Sequence, residues 1–278
     1  MNELNIISVS GGKDSTALYL LAQEFYGRDF LPIFADTDNE HPVTLNYVKN
    51  LHHLADGPKV QIVKADFAKH LKRKGIKPSG NSFLDMALWK GRMPSSKAQF
   101  CTEHLKLWPI RFYLEKHYPP TKYKWIMHTG IRGAESKKRA ARQPYSYNGF
   151  FNCLSVLPML YESDKSMFNL MESRQVPPNP LYALGHKRVG CFPCIHANKT
   201  QLALLPDWAW ERLAWFEKES GSTWFSPKTV PWKGKGELVY INEVREWCKT
   251  SHGGRQYDAF KSAPADIPSC MSGFIECE

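Results

Sequence analysis

The sequence predicts an α/β protein built on a doubly wound parallel sheet, with a helical, loop-rich C-terminal extension. Apolar, β-branched runs alternate with helical patterns in the first half, a Gly-Gly pair separates the first strand from the first helix, and the alternation stops near residue 150. Such alternation is typical of a parallel sheet covered by helices on both faces. We therefore expect an α/β domain over residues 1–150 and an extension over 151–278.

The predicted elements follow in chain order. The first strand lies at 4–10, because Leu-Asn-Ile-Ile-Ser-Val-Ser is apolar and β-branched, and Gly11-Gly12 ends it in a turn. A helix follows, since apolar residues recur at helical spacing from Leu18 to Phe25. The same reasoning predicts strands at 31–36, 60–65 and 123–130, a helix at about 41–54, a short helix near 83–89, and a longer helical stretch at about 199–219.

The composition indicates a globular protein with an anionic partner. No apolar run among the 278 residues approaches membrane-spanning length, and the N-terminus has no signal-peptide pattern, so we expect a cytoplasmic protein. Seven cysteines, an odd number, favour metal binding or thiol chemistry over a disulfide framework. The net charge of +10 suits a nucleotide or a nucleic acid, and is equally compatible with a solvated basic surface.

The segment Ser10-Gly11-Gly12-Lys13-Asp14-Ser15-Thr16 joins the first strand to the first helix and is predicted to bind phosphate. The glycines let phosphate oxygens approach the backbone, and the first amides of the helix attract anions, as do Lys13 and the hydroxyls of Ser10, Ser15 and Thr16. Asp14 would repel phosphate unless it holds a metal ion or caps amides, and Mg²⁺ is the simpler assumption. The alternative is a plain Gly-Gly turn with capping hydroxyls.

This loop resembles the PP-loop, Ser-Gly-Gly-x-Asp-Ser, of the ATP pyrophosphatase superfamily, whose sheet is Rossmann-like. The resemblance implies that the loop binds the β and γ phosphates of ATP, which is split at its α phosphate to adenylylate a substrate. Later motifs are similar to the phosphoadenosine phosphosulfate reductase-like branch. They are Asp36-Thr37-Asp38-Asn39-Glu40, Cys101-Thr102-Glu103-His104-Leu105-Lys106, Gly130-Ile131-Arg132 with Arg139, Asn179-Pro180-Leu181-Tyr182, and Gly190-Cys191-Phe192-Pro193-Cys194.

The resemblance assigns roles to these motifs. It implies that Asp36 and Asp38 contact the base or ribose, although two acids at a strand end are also common turn formers. It implies that Gly130, Arg132 and Arg139 meet the anionic substrate, and arginine can hold phosphate or sulfate with two parallel hydrogen bonds.

The cysteines suggest a metal site. The Cys191-x-x-Cys194 pair can present two thiolates to one metal ion. The resemblance implies that Cys101 joins this pair around a 4Fe-4S cluster. Cys153, Cys248 and Cys270 are candidates for a fourth ligand, and His196 could complete a zinc site instead. Zinc and free thiols are the alternatives. The chain ends Glu276-Cys277-Glu278, which keeps only the Glu-Cys of the reductase tail, so Cys277 is either a nucleophile or a terminal thiol without function.

Three hypotheses about function follow from these patterns. In the first, the protein adenylylates a substrate with ATP, using Lys13, Asp14 and Arg132, and sulfur from a cluster, a cysteine desulfurase or another donor displaces AMP. In the second, Cys277 attacks a sulfonucleotide such as PAPS, and a thiol reductant releases sulfite. The third is a nucleotide- or nucleic-acid-binding regulator. Lys13 favours the first, because the resemblance places this lysine in members that cleave ATP. The charge and the resemblance make tRNA or DNA candidate substrates, and a homodimer is compatible with the sequence.

Overall fold

The computed structural model describes residues 1–225, 227, 229–234 and 236–251. Its strands are β1 (Asn2–Ser8), β2 (Leu31–Asp36), β3 (Gln61–Lys64), β4 (Tyr123–His128), β5 (Tyr145–Asn148) and β6 (Cys153–Val156). Its α-helices are α1 (Lys13–Tyr26), α2 (Pro42–Leu54), α3 (Ala68–Lys72), α4 (Ser82–Lys90), α5 (Phe100–Thr102), α6 (Trp108–His117), α7 (Lys137–Ala140), α8 (Asp164–Ser173), α9 (Lys199–Ala203), α10 (Asp207–Ser220) and α11 (Ile241–Cys248). A π-helical segment, Glu103–Leu107, joins α5 to α6.

The six strands form one sheet in the order β3-β2-β1-β4-β6-β5. All neighbouring strands are parallel except β5 and β6, which are antiparallel. This mostly parallel sheet with helices confirms the predicted α/β fold class. The chain moves from β1 outwards to β2 and β3, and β4 then lies on the other side of β1. A crevice opens where the strand order reverses in this way, at the carboxyl ends of β1 and β4.

Helices cover both faces of the sheet because successive side chains of a strand point to opposite faces. Ile7 of β1 belongs to the cluster formed with α1, α2 and α8, whereas its neighbour Ile6 belongs to the cluster formed with α6. Both isoleucines are fully buried. This alternation fixes the direction in which β1 leaves the sheet and therefore fixes the position of the loop that follows it.

A third apolar cluster joins the two halves of the chain. It includes Phe83 and Met86 of α4 together with Phe216 of α10 and Trp247 of α11. Phe83 stacks on Phe216, with ring centroids 5.7 Å apart, and on Trp224 at 5.0 Å. The helices that lie between β3 and β4 in the chain therefore share one core with the C-terminal extension.

The structure also differs from the sequence-based predictions in detail. β5 and β6 were not predicted, and β6 extends the sheet past residue 150, although a division near this residue stays a prediction. The helical stretch predicted at about 199–219 consists of two helices, since Pro206 precedes the first residue of α10. Within the described residues, no helix has both the length and the apolar character that crossing a membrane requires.

Candidate functional site

The first segment of the site is the loop between β1 and α1, which needs glycine at two positions. Gly11 has a φ of +75°, and a Cβ atom there would lie 2.8 Å from Thr44 Cγ2 and 2.9 Å from Val48 Cγ2. A Cβ atom on Gly12 would lie 3.1 Å from the carbonyl oxygen of Val189. The loop is therefore packed closely against α2 on one side and against residue 189 on the other.

Two hydroxyls shape this loop from within. Ser15 Oγ donates to the carbonyl oxygen of Gly12 at 3.1 Å and accepts from the amide of Ser10 at 3.0 Å. Thr16 is buried, and its hydroxyl accepts from Tyr47 at 3.4 Å. Neither lines the adjacent cavity, whereas Ser10, Gly12, Lys13 and Asp14 do. The sequence had predicted all of these as phosphate ligands, and that role stays a prediction.

The closing segment Asn179–Tyr182 holds the loop from the other side. Asn179 Nδ2 donates to the carbonyl oxygen of Gly11 at 3.0 Å, and the amide of Lys13 donates to the hydroxyl of Tyr182 at 2.8 Å. In the described part of the chain, the amides of Asp14 and Ser15 have no acceptor. Sequence reasoning noted this motif but gave neither side chain a role in the site.

Two ion pairs compensate the negative charge that Asp14 brings to the loop. Its Oδ1 accepts from Arg132 Nε at 2.6 Å, and its Oδ2 lies 3.5 Å from Lys13 Nζ. The loop after β4 brings Arg132 to this place, because Gly130 packs against the first turn of α1: a Cβ there would lie 3.0 Å from the carbonyl oxygen of Asp14. The carboxylate of Asp14 is therefore balanced by two cations without a metal ion.

Asp164, the first residue of α8, completes this arrangement and was not predicted. Its Oδ1 lies 3.4 Å from Lys13 Nζ and also accepts a hydrogen bond from Arg132. From sequence alone, Ser163 and Asp164 look like an ordinary helix start, and Ser163 does cap α8. The contact depends on the packing of α8 against α1, for which the sequence has no local signal.

Arg139 lies behind the cavity wall rather than in it. It is buried and forms an ion pair with Glu135. Burial, with Arg188 and Arg142 nearby, lowers the pKa of Arg139 to about 10. Arg188 itself lines the cavity and was not among the predicted site residues.

The acidic residues after β2 organise the backbone. Asp36 accepts from the amide of Asp38 at 3.0 Å, and Asp38 accepts from Lys64 Nζ at 2.6 Å and from the amide of Ser82 at 2.7 Å. Neither aspartate lines the main cavity. These contacts are those of a turn-forming pair, and the predicted contact with a base or ribose stays untested.

Cys191 and Cys194 line the main cavity, but Cys101 is buried in the third apolar cluster. Cys191 Sγ lies 4.0 Å from Oε1 of Glu40, whose pKa is raised by burial. Among the residues that the structure describes, no three His, Cys, Asp or Glu side chains are placed to hold a metal ion. Cys194 packs against the same apolar cluster that buries Cys101. The role of Cys101, Cys191 and Cys194 as metal ligands, which the resemblance implies, stays a prediction. Cys270 and Cys277 lie outside the described residues.

Of the other described cysteines, Cys153 is buried and Cys248 is half-buried. Burial raises the pKa of Cys153 to about 11 and that of Cys248 to about 12. Thiols with such pKa values carry almost no thiolate at neutral pH and are poor nucleophiles.

One cavity of about 530 Å³ connects these groups, which is within the usual range for small-molecule sites. Its cationic end holds Lys13, Arg132 and the start of α1. Its lining also includes Cys191, Cys194 and residues of α9, together with the cations Lys106, Lys187 and Arg188. Such a cavity suits an anionic ligand.

Comparisons with known proteins agree with this architecture. The family model described as the phosphoadenosine phosphosulfate reductase domain matches residues 5–197. The uncharacterized 37.8 kDa protein in the gpa 5′ region of Escherichia phage 186 is 35% identical over an alignment of 326 positions, gaps included, which covers 97% of this chain and 95% of the relative. An adenosine 5′-phosphosulfate reductase of Rhodococcus erythropolis is 24% identical over 68% of this chain and 67% of its own length.

Other relatives are longer than the matched region. The chain spans 46% and 40% of the length of two proteins of Methanocaldococcus jannaschii, and 50% of the length of one protein of Escherichia phage lambda.

Among solved structures, a phosphoadenylyl-sulfate reductase from Candida auris, described as a phosphate complex, aligns with 69% of this chain and 82% of its own chain. The TM-score is 0.47 and the identity is 17%. Because the family model matches more than half of its residues, this chain belongs to the phosphoadenosine phosphosulfate reductase domain family.

Proposed function

We propose that the protein binds ATP with its triphosphate at the start of α1, and cleaves it at the α phosphate to adenylylate a substrate for sulfur transfer. The observation that carries the proposal is the position of Lys13. Its side chain is only 10% exposed, yet its ammonium group faces the cavity beside Arg132. A buried lysine next to amides without acceptors is well suited to polyphosphate.

The geometry supports phosphoryl chemistry by electrostatic stabilisation. Lys13 and Arg132 can bind the charge that develops on pyrophosphate as the bond to the α phosphate breaks, and the amides of Asp14 and Ser15 add fixed dipoles. The same cavity reaches Cys191 and Cys194. An adenylylated substrate would therefore form in the compartment that these thiols line. The sequence suggested Mg²⁺ at Asp14; because Asp14 is paired with Arg132 and Lys13, Mg²⁺ would instead enter with ATP.

Pyrophosphate release from Mg·ATP tests the proposal. We expect Lys13→Met, which keeps the buried stem and removes the charge, to lower the rate at least about 100-fold. Lys124→Met is the matched control, because Lys124 lies on the surface and pairs only with Glu3 among the described residues. Equal rates in both variants and the wild type would exclude a role for Lys13 in catalysis.

Addition of tRNA or DNA to this assay identifies the acceptor class. Stimulation by one nucleic acid would support it as the substrate, consistent with the net charge of +10. ATP binding without turnover under every condition would instead favour the regulator hypothesis. The 4Fe-4S cluster stays a proposal from the resemblance, and iron and sulfide analysis of anaerobically purified protein tests it.

A second candidate function is reduction of a sulfonucleotide. It is favoured by the relatives described as adenosine 5′-phosphosulfate reductases. Sulfite release from PAPS or adenylylsulfate with a thiol reductant, abolished by Cys277→Ser and independent of Lys13, would support it over ATP cleavage.

A further inference from the structure

The cationic end of the cavity already contains an anion, the carboxylate of Asp164. Its Oδ1 contacts the ammonium of Lys13 and the guanidinium of Arg132 at the same time. An oxygen atom that bridges two cations in this way is in the position that a phosphate oxygen would need. Phosphate and the Asp164 side chain therefore compete for the same two partners.

The two carboxylates at this end differ in how freely they can leave. Asp14 is 16% exposed and is held by the first turn of α1, whereas the Asp164 side chain is 66% exposed. Lys13 and Arg132 are 10% and 3% exposed and remain where they are. Only Asp164 can turn into solvent without disturbing a buried contact.

The backbone of Asp164 is fixed while its side chain is free to move. Ser163 caps α8 by accepting from the amide of Ser166 at 3.1 Å, and Met167 and Met171 bury α8 in the cluster that it shares with α1. A rotation of one exposed side chain is therefore enough to open the cationic end, and no helix has to shift.

We propose that the carboxylate of Asp164 competes with bound anions for Lys13 and Arg132. It thereby sets how strongly an anion must bind in order to occupy the cationic end of the cavity. The inference rests on the proposed use of this end for phosphate. The apparent affinity of any ligand is reduced by the fraction of molecules in which the site is competent, and this factor is the same for every ligand that displaces Asp164. Weak anions such as inorganic phosphate are thereby kept out at ordinary concentrations, whereas a polyphosphate still binds.

Calorimetric titration of Asp164→Asn with inorganic phosphate, pyrophosphate and ATP, first without Mg²⁺, tests the inference. Asparagine keeps the size of the side chain and removes its charge. Since only the acidic partner of these two ion pairs is exposed, we expect all three ligands to bind about 3- to 10-fold more tightly, by a common factor. Asp207→Asn is the control, because Asp207 is also an exposed first residue of a helix and pairs with Arg245. It should leave the three affinities unchanged.

The outcomes separate this inference from the proposed function. Unchanged or weaker binding by Asp164→Asn would overturn the inference, and weaker binding only with Mg²⁺ present would make Asp164 a metal ligand instead. A common tightening without pyrophosphate release from ATP would support the inference and contradict ATP cleavage. If neither protein bound any of the three anions, both proposals would be wrong.

Discussion

At the scale of single residues, the site depends on positions where adding or removing a small side-chain group would displace the loop or its ion pairs. Gly11 is the clearest case, because it combines a positive φ with two close methyl groups from α2. Lys13 and Arg132 are similarly constrained, since each is buried between carboxylates. These residues were predicted from their motifs, because glycine and lysine at a strand–helix junction have few other uses.

Gly11→Ala should destabilise the protein by about 2–4 kcal/mol, the sum of backbone strain at positive φ and overpacking against Thr44 and Val48. Gly91→Ala is the control, since Gly91 has a φ of +69° but open space around it. We expect it to cost about 1 kcal/mol. Urea unfolding measures both, and equal losses would show that the contacts with α2 do not matter.

Residue-scale reasoning failed for Asp164 and Tyr182 because their roles depend on distant partners. Tyr182 lies 169 positions from Lys13, and Asp164 comes 32 positions after Arg132. Tyr182 belongs to a recognised motif, but nothing in that motif shows that its hydroxyl meets Lys13, and Asp164 has no neighbour in sequence that marks it as part of a site. Only the packing of α8 and of the closing segment brings them to α1.

At the scale of elements, β2, β3 and α4 were predicted closely, whereas β5, β6, α6 and α8 were not predicted. β2 begins and ends where the sequence predicted. β1 begins and ends two residues earlier than predicted, because its first residue pairs with Tyr123 and its last two predicted residues leave the sheet for the loop. β5 and β6 have four residues each, and the exposed Tyr145 and Tyr147 make β5 a polar edge strand without an apolar pattern.

Glu217 connects elements of the C-terminal extension and gives a prediction about pH. Its carboxylate accepts from the amides of Trp224 at 2.7 Å and Ile241 at 2.8 Å. Burial raises its pKa. An acid whose pKa is raised by folding stabilises the folded protein in its protonated form. This stabilisation is lost as pH rises from the acid's ordinary pKa, about 4.3, through its raised pKa. We therefore expect the free energy of unfolding of the wild type to fall in this window relative to Glu217→Gln.

Glu243 of α11 provides a control of opposite sign. Its hydrogen bond with Lys233 lowers its pKa, so its contribution is present above its ordinary pKa and is lost as pH falls. The stability deficit of Glu243→Gln should therefore grow as pH rises, while that of Glu217→Gln shrinks. Thermal unfolding from about pH 3 to 7 distinguishes them, because the window of Glu243 lies below its ordinary pKa and that of Glu217 above it. Parallel curves for the two variants would contradict the assignment.

At the scale of the whole molecule, the third apolar cluster decides whether the chain behaves as one unit. Residues 1–150 and 151–278 were predicted as separate regions because the alternation of elements stops near the boundary. The sequence could not show that α4, inside the first region, packs against α10 in the second. The aromatic residues of this core are irregularly spaced in the sequence, so no periodic pattern indicates that they pack together in the folded chain.

Phe83→Ala should therefore lower the stability of both regions together, by about 3–5 kcal/mol. Tryptophan fluorescence reports largely on the extension and far-UV circular dichroism on the whole chain, and we expect their urea transitions to coincide in the wild type and in the variant. Phe25→Ala, at an exposed position, is the control. Two separated transitions would show that the extension unfolds independently.

The hydrogen bonds between the β1–α1 loop and the closing segment have a consequence for biosynthesis. The loop is among the first parts of the chain to be made, yet Asn179 and Tyr182, which hold it, are made 168 and 169 residues later. At about 5–20 residues per second, the loop waits on the order of 10–30 seconds for these partners. A nascent chain that carries only the first two strands has the phosphate motif but lacks the contacts that hold it. If the proposed function is correct, ATP in the cell stabilises this protein only after residue 182 has left the ribosome.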